Sequence, residues 1–318
     1  MRFCAATPAK NTSKIMIKTS ASVRPSDSTK SIEIDSIELI EISREGSVEP
    51  SKNKSRKHSN KILLLLVILF FFKTTAAQSK SEFRTLQNNA FKVGEKLTFD
   101  VKYGFVTAGI AQYSIPKIVK IAGRDAYNVM FDVSSVSAFD PFYKVRDHYE
   151  TYIDVAGLFP WRFEQHIREG GYSRDFSAFF DQRRGKAKTS EGSYDIPKYV
   201  NDIVSAFYLA RTFDYSKMKE GDKVHLENFY KDKVYPLDVL FRGRERVSVS
   251  AGTFDCIILE PLVMEGGLFK SEGSIVVWLT NDQLKIPVKV KTKVIVGSID
   301  AELSGYQGLA GELKAKRK

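Results

Sequence analysis

Residues 95–103, EKLTFDVKY, contain the clearest structural signal in this chain. The apolar residues Leu97, Phe99 and Val101 alternate with polar ones, and a glycine stands on either side of the segment. Strict alternation places every second side chain on the same face of an extended chain, which is the pattern of a β-strand with one buried face. The segment therefore predicts a half-buried strand.

The same alternation recurs along most of the chain after residue 90. It is found at 127–136, 143–153, 161–167, 176–180, 224–230, 234–241, 254–262, 275–279 and 288–296. Turn-forming residues separate these segments, among them Gly123, Gly170-Gly171 and Gly185. Many short alternating strands predict a mainly β fold, in which an antiparallel curved sheet forms an open barrel or a sandwich.

One segment has a helical rather than an extended pattern. Its apolar residues Ile203, Val204, Phe207 and Tyr208 are spaced as on one face of a helix, and Asn201 or Asp202 suits the N-cap. We therefore expect a single internal helix near 201–211, between two groups of strands.

The N-terminal part of the chain resembles an export signal. Lys61 precedes an apolar run at 62–72, and small residues at Thr75 and Ala77 follow it. A membrane-spanning helix needs about 20 apolar residues, which is longer than this run. The pattern predicts a signal peptide at 61–77, cleaved near Ala77, and export to the periplasm or the cell surface.

These signals divide the chain into five parts. Residues 1–60 are rich in Ser and Lys and are either a disordered extension or sequence upstream of the true translation start. The signal peptide is followed by a linker at 78–91, a β-rich domain at 92–308 and a basic tail at 309–318. We expect the function to belong to the β-rich domain.

Charge and cysteine content exclude several functional classes. The net charge of +11 arises from residues 1–80 and the C-terminal tail, whereas residues 81–313 are electrically balanced. A balanced domain lacks the positive field that nucleic-acid binding uses.

The sequence contains no glycine-rich phosphate loop, so neither a nucleotide nor any other cofactor is expected. Cys256 is the only cysteine after the signal and is expected to be a buried thiol.

Several motifs together resemble one known family. DIVSAFYLAR at 202–211, AGTFDC at 251–256 and GSIVVWLTND at 273–282 are similar, in this order, to segments of the family catalogued as domain of unknown function 3108. Residues 285–288 and 297–303 resemble its closing strands. The resemblance covers about 92–308 and implies a β-rich exported or envelope protein of bacteria with no established activity. It implies no catalytic residue.

Three groups of side chains are candidates for a site. His148 and His166 each stand two residues from a glutamate on a predicted strand, so a His/carboxylate group forms if the strands pair. Such a group suits metal binding or proton transfer, but an ion-paired solvent face explains the pattern as well.

The other two groups are basic and aromatic. Arg242, Arg244 and Arg246 form a one-face row that would bind an anionic group if it faced a cavity. Phe139, Phe142 and Tyr143 lie in a segment with a proline, where an aromatic loop at a barrel mouth would grip a ligand. For both groups the alternative is an ordinary wet sheet face or core.

The sequence therefore favours a non-catalytic envelope module that binds an amphiphile such as a lipid, a glycan or another envelope protein. Two alternatives remain open at this point. One is an integral outer-membrane β-barrel, whose strands also alternate. The other is an envelope hydrolase that uses His148, His166 and nearby carboxylates. No metal site is expected.

Overall fold

The computed structural model describes residues 83–262, 275–293 and 297–318. The predicted extension at 1–60 and signal peptide at 61–77 lie outside these residues, as does the first part of the predicted linker. The last three residues of the predicted strand 288–296 also lie outside them.

The described chain contains one helix and many strands, as the alternating pattern predicts. The helix, α1, spans Ile203–Ala210. The strands are β1 (Lys96–Tyr103), β2 (Val106–Ile121), β3 (Arg124–Ser135), β4 (Arg146–Asp154), β5 (Pro160–Glu169), β6 (Tyr172–Asp181), β7 (Lys186–Thr189), β8 (Ser193–Asp195), β9 (Lys223–Tyr230), β10 (Lys233–Val249), β11 (Gly252–Leu262), β12 (Ile275–Thr280), β13 (Pro287–Lys293), β14 (Ser298–Gln307) and β15 (Lys316–Arg317).

The strands form one open antiparallel sheet. Its order is β8-β7-β6-β5-β4-β3-β2-β1-β14-β13-β12-β11-β10-β9, and β15 is added to β11. Most neighbours in the sheet are consecutive in the chain, so short connections suffice. The pairing of β1 with β14 joins the first strand to the last long one. The predicted class, mainly β with a curved open sheet and one helix, is confirmed.

The inner face of the sheet forms the core around the helix. Leu97 and Phe99 of β1 are buried, as their alternation predicts. One apolar cluster combines Val129 of β3 and Phe180 of β6 with Leu226 of β9, from opposite halves of the sheet order. A sheet must curve to bring such distant strands onto one core, and here the helix fills part of the enclosed space.

The helix starts where the sequence predicts. Asp202 is the N-cap: its Oδ1 accepts hydrogen bonds from the N–H groups of Val204 at 2.8 Å and Ser205 at 2.9 Å. The Asp202 N–H donates to Oγ of Ser205 at 3.0 Å, which completes a capping box. Thr151 of β4 donates to Oδ2 of Asp202 at 2.7 Å, so the cap also fastens the helix to the sheet.

Strands β2 and β10 differ from the sequence prediction. β2 was not predicted, because it contains Pro116, which argues against a strand interior. In the structure the proline lies in a register shift between Ser114 and Lys117. β10 continues past the predicted end at 241, through a second shift at Arg242 and Gly243. Gly243 has a φ of +117°, a conformation that glycine adopts at little cost.

The two segments that flank the predicted domain belong to its folded core. In the predicted linker, Phe83 and Phe91 are buried against aromatic partners such as Trp161 and Tyr208. In the predicted basic tail, Ala315 is buried and β15 pairs with β11. The basic composition of this segment predicted exposed side chains, so no strand was expected here. Exposed side chains are nevertheless compatible with pairing of the backbone.

Candidate functional site

An apolar cavity of about 280 Å³ lies between the helix and the inner face of the sheet. The helix contributes one wall through Ile203, Ala206, Phe207 and Ala210. Strands from both halves of the sheet order supply the rest. The lining from the strands comprises Phe99, Ala111, Tyr113, Phe131, Leu226, Asn228, Tyr235, Pro236, Leu237, Val239, Leu259, Pro261, Ile275, Val277, Leu279, Pro287, Val290, Thr292 and Ala301.

The chemistry of the lining is nearly uniform. Among the described residues, no charged side chain lines the cavity, and the polar groups come from Tyr113, Asn228, Tyr235 and Thr292. Several positions carry small side chains, including Ala111 on β2, Ala206 on the helix and Ala301 on β14. These alanines come from elements far apart in sequence, and together they leave the space that larger side chains would fill.

Aromatic stacking gives one side of the cavity a rigid wall. The Tyr113 ring is stacked on Phe131, with ring centroids 4.1 Å apart, and on Phe207 of the helix at 5.3 Å. Burial raises the pKa of Tyr113 well above its usual value, helped by neighbouring Tyr149. The phenol therefore remains neutral, and a ligand here would meet an uncharged hydroxyl.

Asn228 of this lining contributes a buried acceptor without a partner. The residue is 7% exposed, and Oδ1 has no hydrogen-bond partner in the part of the chain that the structure describes. A buried acceptor without a donor costs roughly 1–3 kcal/mol.

The alternating pattern of β9 contains a signal for Asn228. In 224–230 the alternation puts Val224, Leu226 and Asn228 on one face, and Leu226 is buried. A polar residue at an inward-facing position of a strand either finds a partner or lines a site. The cavity itself had no signal in the sequence, because it depends on the distance between strands.

The structure brings His148 and His166 together, but on the outer face of the sheet. The two residues are direct cross-strand partners, and their rings are stacked with centroids 6.1 Å apart. Nδ1 of His148 is hydrogen-bonded to Asp132 and Nδ1 of His166 to Asp175, each at 2.7 Å. The arrangement is the ion-paired outer surface that the sequence left open as an alternative, and it does not favour a hydrolase.

The glutamates of the two histidine rows also have outer-surface partners. Glu150 accepts a hydrogen bond from Asn128 at 2.5 Å, and Glu164 is paired with Arg162. Within the described ranges, no group of three or more His, Cys, Asp or Glu side chains is placed to hold a metal ion.

The arginine row does not lie on one face, because the register shift at Arg242 and Gly243 interrupts its alternation and turns Arg244 and Arg246 to the face opposite to Arg242. Arg242 is paired with Glu260 at 2.5 Å, and Arg246 with Asp255 at 3.0 Å. Arg244 donates to the backbone carbonyl of Tyr215 at 2.7 Å. None of the three arginines is among the described residues that line the cavity. The charged outer face around His148 and His166 does not favour an integral outer-membrane protein, whose lipid-facing side chains are apolar.

The aromatic loop is located away from the cavity lining. Phe139 and Phe142 contact each other in the connection between β3 and β4, with ring centroids 6.2 Å apart. Phe142 is 83% exposed and Tyr143 is 52% exposed. None of the three is among the described residues that line the cavity.

Cys256 lies in the core, as expected. Its side chain is fully buried on β11. Burial raises the pKa of the thiol to about 12, and the nearby carboxylate of Asp255 adds to this effect. Nucleophilic chemistry needs the thiolate, so this cysteine is inert.

Comparison with known proteins agrees with the motifs. The sequence profile of the family described as protein of unknown function DUF3108 matches residues 98–304. The chain belongs to this family. The DUF3108 helix motif has a structural role here, because its characteristic side chains are all buried: Asp202, Ser205, Tyr208 and Arg211.

Solved structures similar to this DUF3108 chain have low sequence identity to it. One is a β-barrel-like protein of domain of unknown function DUF1849 from Brucella abortus, with 12% identity, a TM-score of 0.44 and coverage of 67% of this chain and 96% of that one. Another is a candidate lipoprotein from Parabacteroides distasonis, with 11% identity, a TM-score of 0.33 and coverage of 70% and 100%.

A third similar structure is a candidate exported protein with a YmcC-like fold from Bacteroides fragilis. It has 12% identity, a TM-score of 0.30 and coverage of 71% of this chain and 100% of that one. No curated protein matches the chain. Among the described residues, no helix has the length and apolar character needed to cross a membrane.

Proposed function

We propose that this DUF3108 protein is an exported, non-catalytic binding module that holds the apolar chain of an amphiphile in the cavity beside α1. The observation that carries the proposal is an apolar cavity of about 280 Å³ between α1 and the inner face of the sheet. Proteins normally fill their interiors, so a lined space of this size suits a ligand.

The size and chemistry of the cavity favour an acyl or isoprenoid chain. Small-molecule pockets span roughly 300–1,000 Å³, and this cavity of about 280 Å³ is just below that range. Each buried methylene contributes about 0.8 kcal/mol, so a short segment of chain suffices for measurable affinity.

A glycan fits this lining less well. Sugars need several hydrogen-bond partners, whereas the described lining offers polar groups at only four positions. None of the arginines and histidines that would bind a charged head group lines the cavity. Export is supported by the predicted signal at 61–77, with its apolar run at 62–72.

The proposal is tested on protein purified from the exported fraction of its own host. Native mass spectrometry should show an added mass that organic extraction removes, and the extract should contain an amphiphile. A fluorescent polyene fatty acid should bind the extracted protein and be displaced by unlabelled lipid. Protein that carries no amphiphile and does not bind the probe would contradict the proposal.

A further inference from the structure

Four aromatic side chains are exposed to solvent in connections between strands or directly after them. Phe105 is 98% exposed, Phe142 83%, Tyr172 54% and Tyr143 52%. We call these four residues the aromatic rim. Exposed apolar residues are common singly, but large rings at successive hairpins indicate an interaction surface.

The strand register places the rim residues at one end of the sheet. Phe105 is in the turn between β1 and β2, Phe142 and Tyr143 between β3 and β4, and Tyr172 starts β6 after its turn. In an antiparallel meander, every second connection lies at the same end. The N–H of Val136 donates to the carbonyl of Ala108, which joins the connection between β3 and β4 to the beginning of β2.

The third connection is joined to the second in the same way. The N–H of Gly170 donates to the carbonyl of Lys144 at 2.8 Å. The Tyr143 ring packs directly over Gly170, where a larger residue would collide with it. The second and third connections of the rim therefore lie side by side.

Four lysines lie at the same end of the sheet as these rings. Lys144 follows the rim residue Tyr143, Lys293 ends β13, and Lys231 and Lys233 flank the turn between β9 and β10 at the same end. In the part of the chain that the structure describes, none of the four is paired with a carboxylate, although ion pairs are common elsewhere on the outer surface. Unpaired lysines beside exposed rings are complementary to a surface that is apolar beneath an anionic layer.

The cavity lining reaches the same end of the sheet. Ile275 and Thr292, which both line the cavity, are register partners near the ends of β12 and β13. Thr292 is opposite Ile299, and Ile299 is opposite Tyr103, next to the turn that carries Phe105. This row across four strands connects one end of the cavity lining with the rim.

We propose that the aromatic rim docks on the surface of an anionic lipid bilayer, with Phe105 and Phe142 inserted among the head groups and the four lysines at the anionic layer. This goes beyond ligand binding in the cavity and does not depend on it. Docking would bring the Ile275–Thr292 end of the cavity lining towards the lipids that the cavity is proposed to hold.

Local fluorescence tests the proposal. Phe105→Trp reports on the rim, and Ser250→Trp, in the exposed turn between β10 and β11 at the other end of the sheet, is the matched control. The protein is taken from the exported fraction of its host, because an unprocessed apolar run at 62–72 would itself bind lipid. The vesicles are phosphatidylcholine alone or mixed with phosphatidylglycerol, with and without brominated acyl chains.

We expect the Phe105→Trp emission to shift to shorter wavelength and to be quenched by brominated lipid in the anionic vesicles, with no change for Ser250→Trp. Phe105→Asp together with Phe142→Asp should lower vesicle affinity roughly tenfold or more, and added salt should lower it further. Both side chains are exposed, so the thermal midpoint should not change.

Three results would overturn the proposal: no response at residue 105, equal responses at 105 and 250, or unchanged vesicle binding by the double aspartate variant. Association of the rim with a protein in the absence of vesicle binding would also overturn it. The cavity-filling variant Ala301→Phe separates the two proposals, because it should lose the fatty-acid probe and keep vesicle docking.

Discussion

Arg211, at the end of α1, forms a fully buried bidentate ion pair with Glu95, just before β1. Nη1 is 2.7 Å from Oε1 and Nη2 is 2.8 Å from Oε2, and the two side chains are 0% and 1% exposed. Nη2 also donates to the carbonyls of Ala90 and Leu284 at 3.2 Å. Burial lowers the pKa of Arg211, but the adjacent Glu95 charge outweighs this and raises it. The pair joins the helix to segments on both sides of the cavity.

Removal of this arginine should destabilise the protein strongly. Arg211→Met leaves the Glu95 carboxylate buried without its cation, which costs about 3–5 kcal/mol of unfolding free energy. Urea unfolding followed by circular dichroism measures the loss. Arg246→Met, which breaks an exposed pair with Asp255, is the control and should cost less than about 1 kcal/mol. Adding Glu95→Gln to Arg211→Met should recover part of the loss, and equal losses in the two single variants would refute this role.

Filling the cavity should abolish ligand binding without unfolding the protein. Ala301 lines the cavity from β14 and is only partly buried, so Ala301→Phe can place its ring in the space. We expect at least a tenfold weaker affinity for the fluorescent fatty acid, because the ring occupies the volume of the chain. Ser177→Phe, on the exposed outer face of β6, adds the same ring outside the cavity and should bind the probe normally. Normal probe binding by Ala301→Phe would place the ligand elsewhere.

The unpaired acceptor of Asn228 predicts an unusual gain in stability. Asn228→Leu removes a buried Oδ1 that has no partner among the described residues, so the ligand-free protein should become more stable by roughly 1–2 kcal/mol. Asn128→Leu is the contrasting substitution, since Asn128 is also buried but donates to Glu150, and this variant should be less stable than wild type. Calorimetry on lipid-extracted protein measures the stability of both variants relative to wild type.

The acid stability of the protein should depend on Asp255. Hydrogen bonds from Arg317 of β15, then from Arg246, lower the pKa of this carboxyl from 3.8 to about 2. A lowered pKa in the folded state means that the stabilising contribution is present above the unfolded pKa and is lost as the pH falls from about 4 to about 2.

Asp255→Asn should therefore show a smaller fall in thermal midpoint across that pH window than wild type. The comparison is Asp125→Asn, which removes an exposed carboxylate paired with Lys120 alone. If Asp255→Asn and wild type lose stability in parallel as the pH falls, the contacts of Asp255 with Arg317 and Arg246 do not contribute in solution.

Local patterns predicted most of the fold. The alternation in β1 and the helical spacing around Asp202 each involve residues within a few positions of one another, and backbone conformation responds to such patterns directly. β2 was missed because Pro116 breaks the pattern, and the structure accommodates it in a bulge. The DUF3108 resemblance likewise depended on short motifs and was confirmed by the family match.

The candidate site was less accessible to prediction. Alternation showed that the His148 row shares a face, but not whether that face was inner or outer, and it wrongly put the three arginines on one face because the shift at Gly243 was not foreseen. In the structure the histidine row is outer and paired, whereas the inner face carries Asn228 and the alanines. Only contacts between distant strands distinguish these two arrangements, since shifting every side chain to the opposite face preserves the same local period.

The amino-acid sequence by itself determined the extended segments, the position and cap of the helix, the electrical balance of residues 81–313 and the family. Tertiary structure alone decided the cavity, the burial of Arg211 on Glu95 and the exposure of Phe105. The physical reason is that a cavity is the space that remains between residues such as Ala111, Ala206 and Ala301. Its volume depends on how the curved sheet and the helix pack together, and no single segment of the chain encodes that distance.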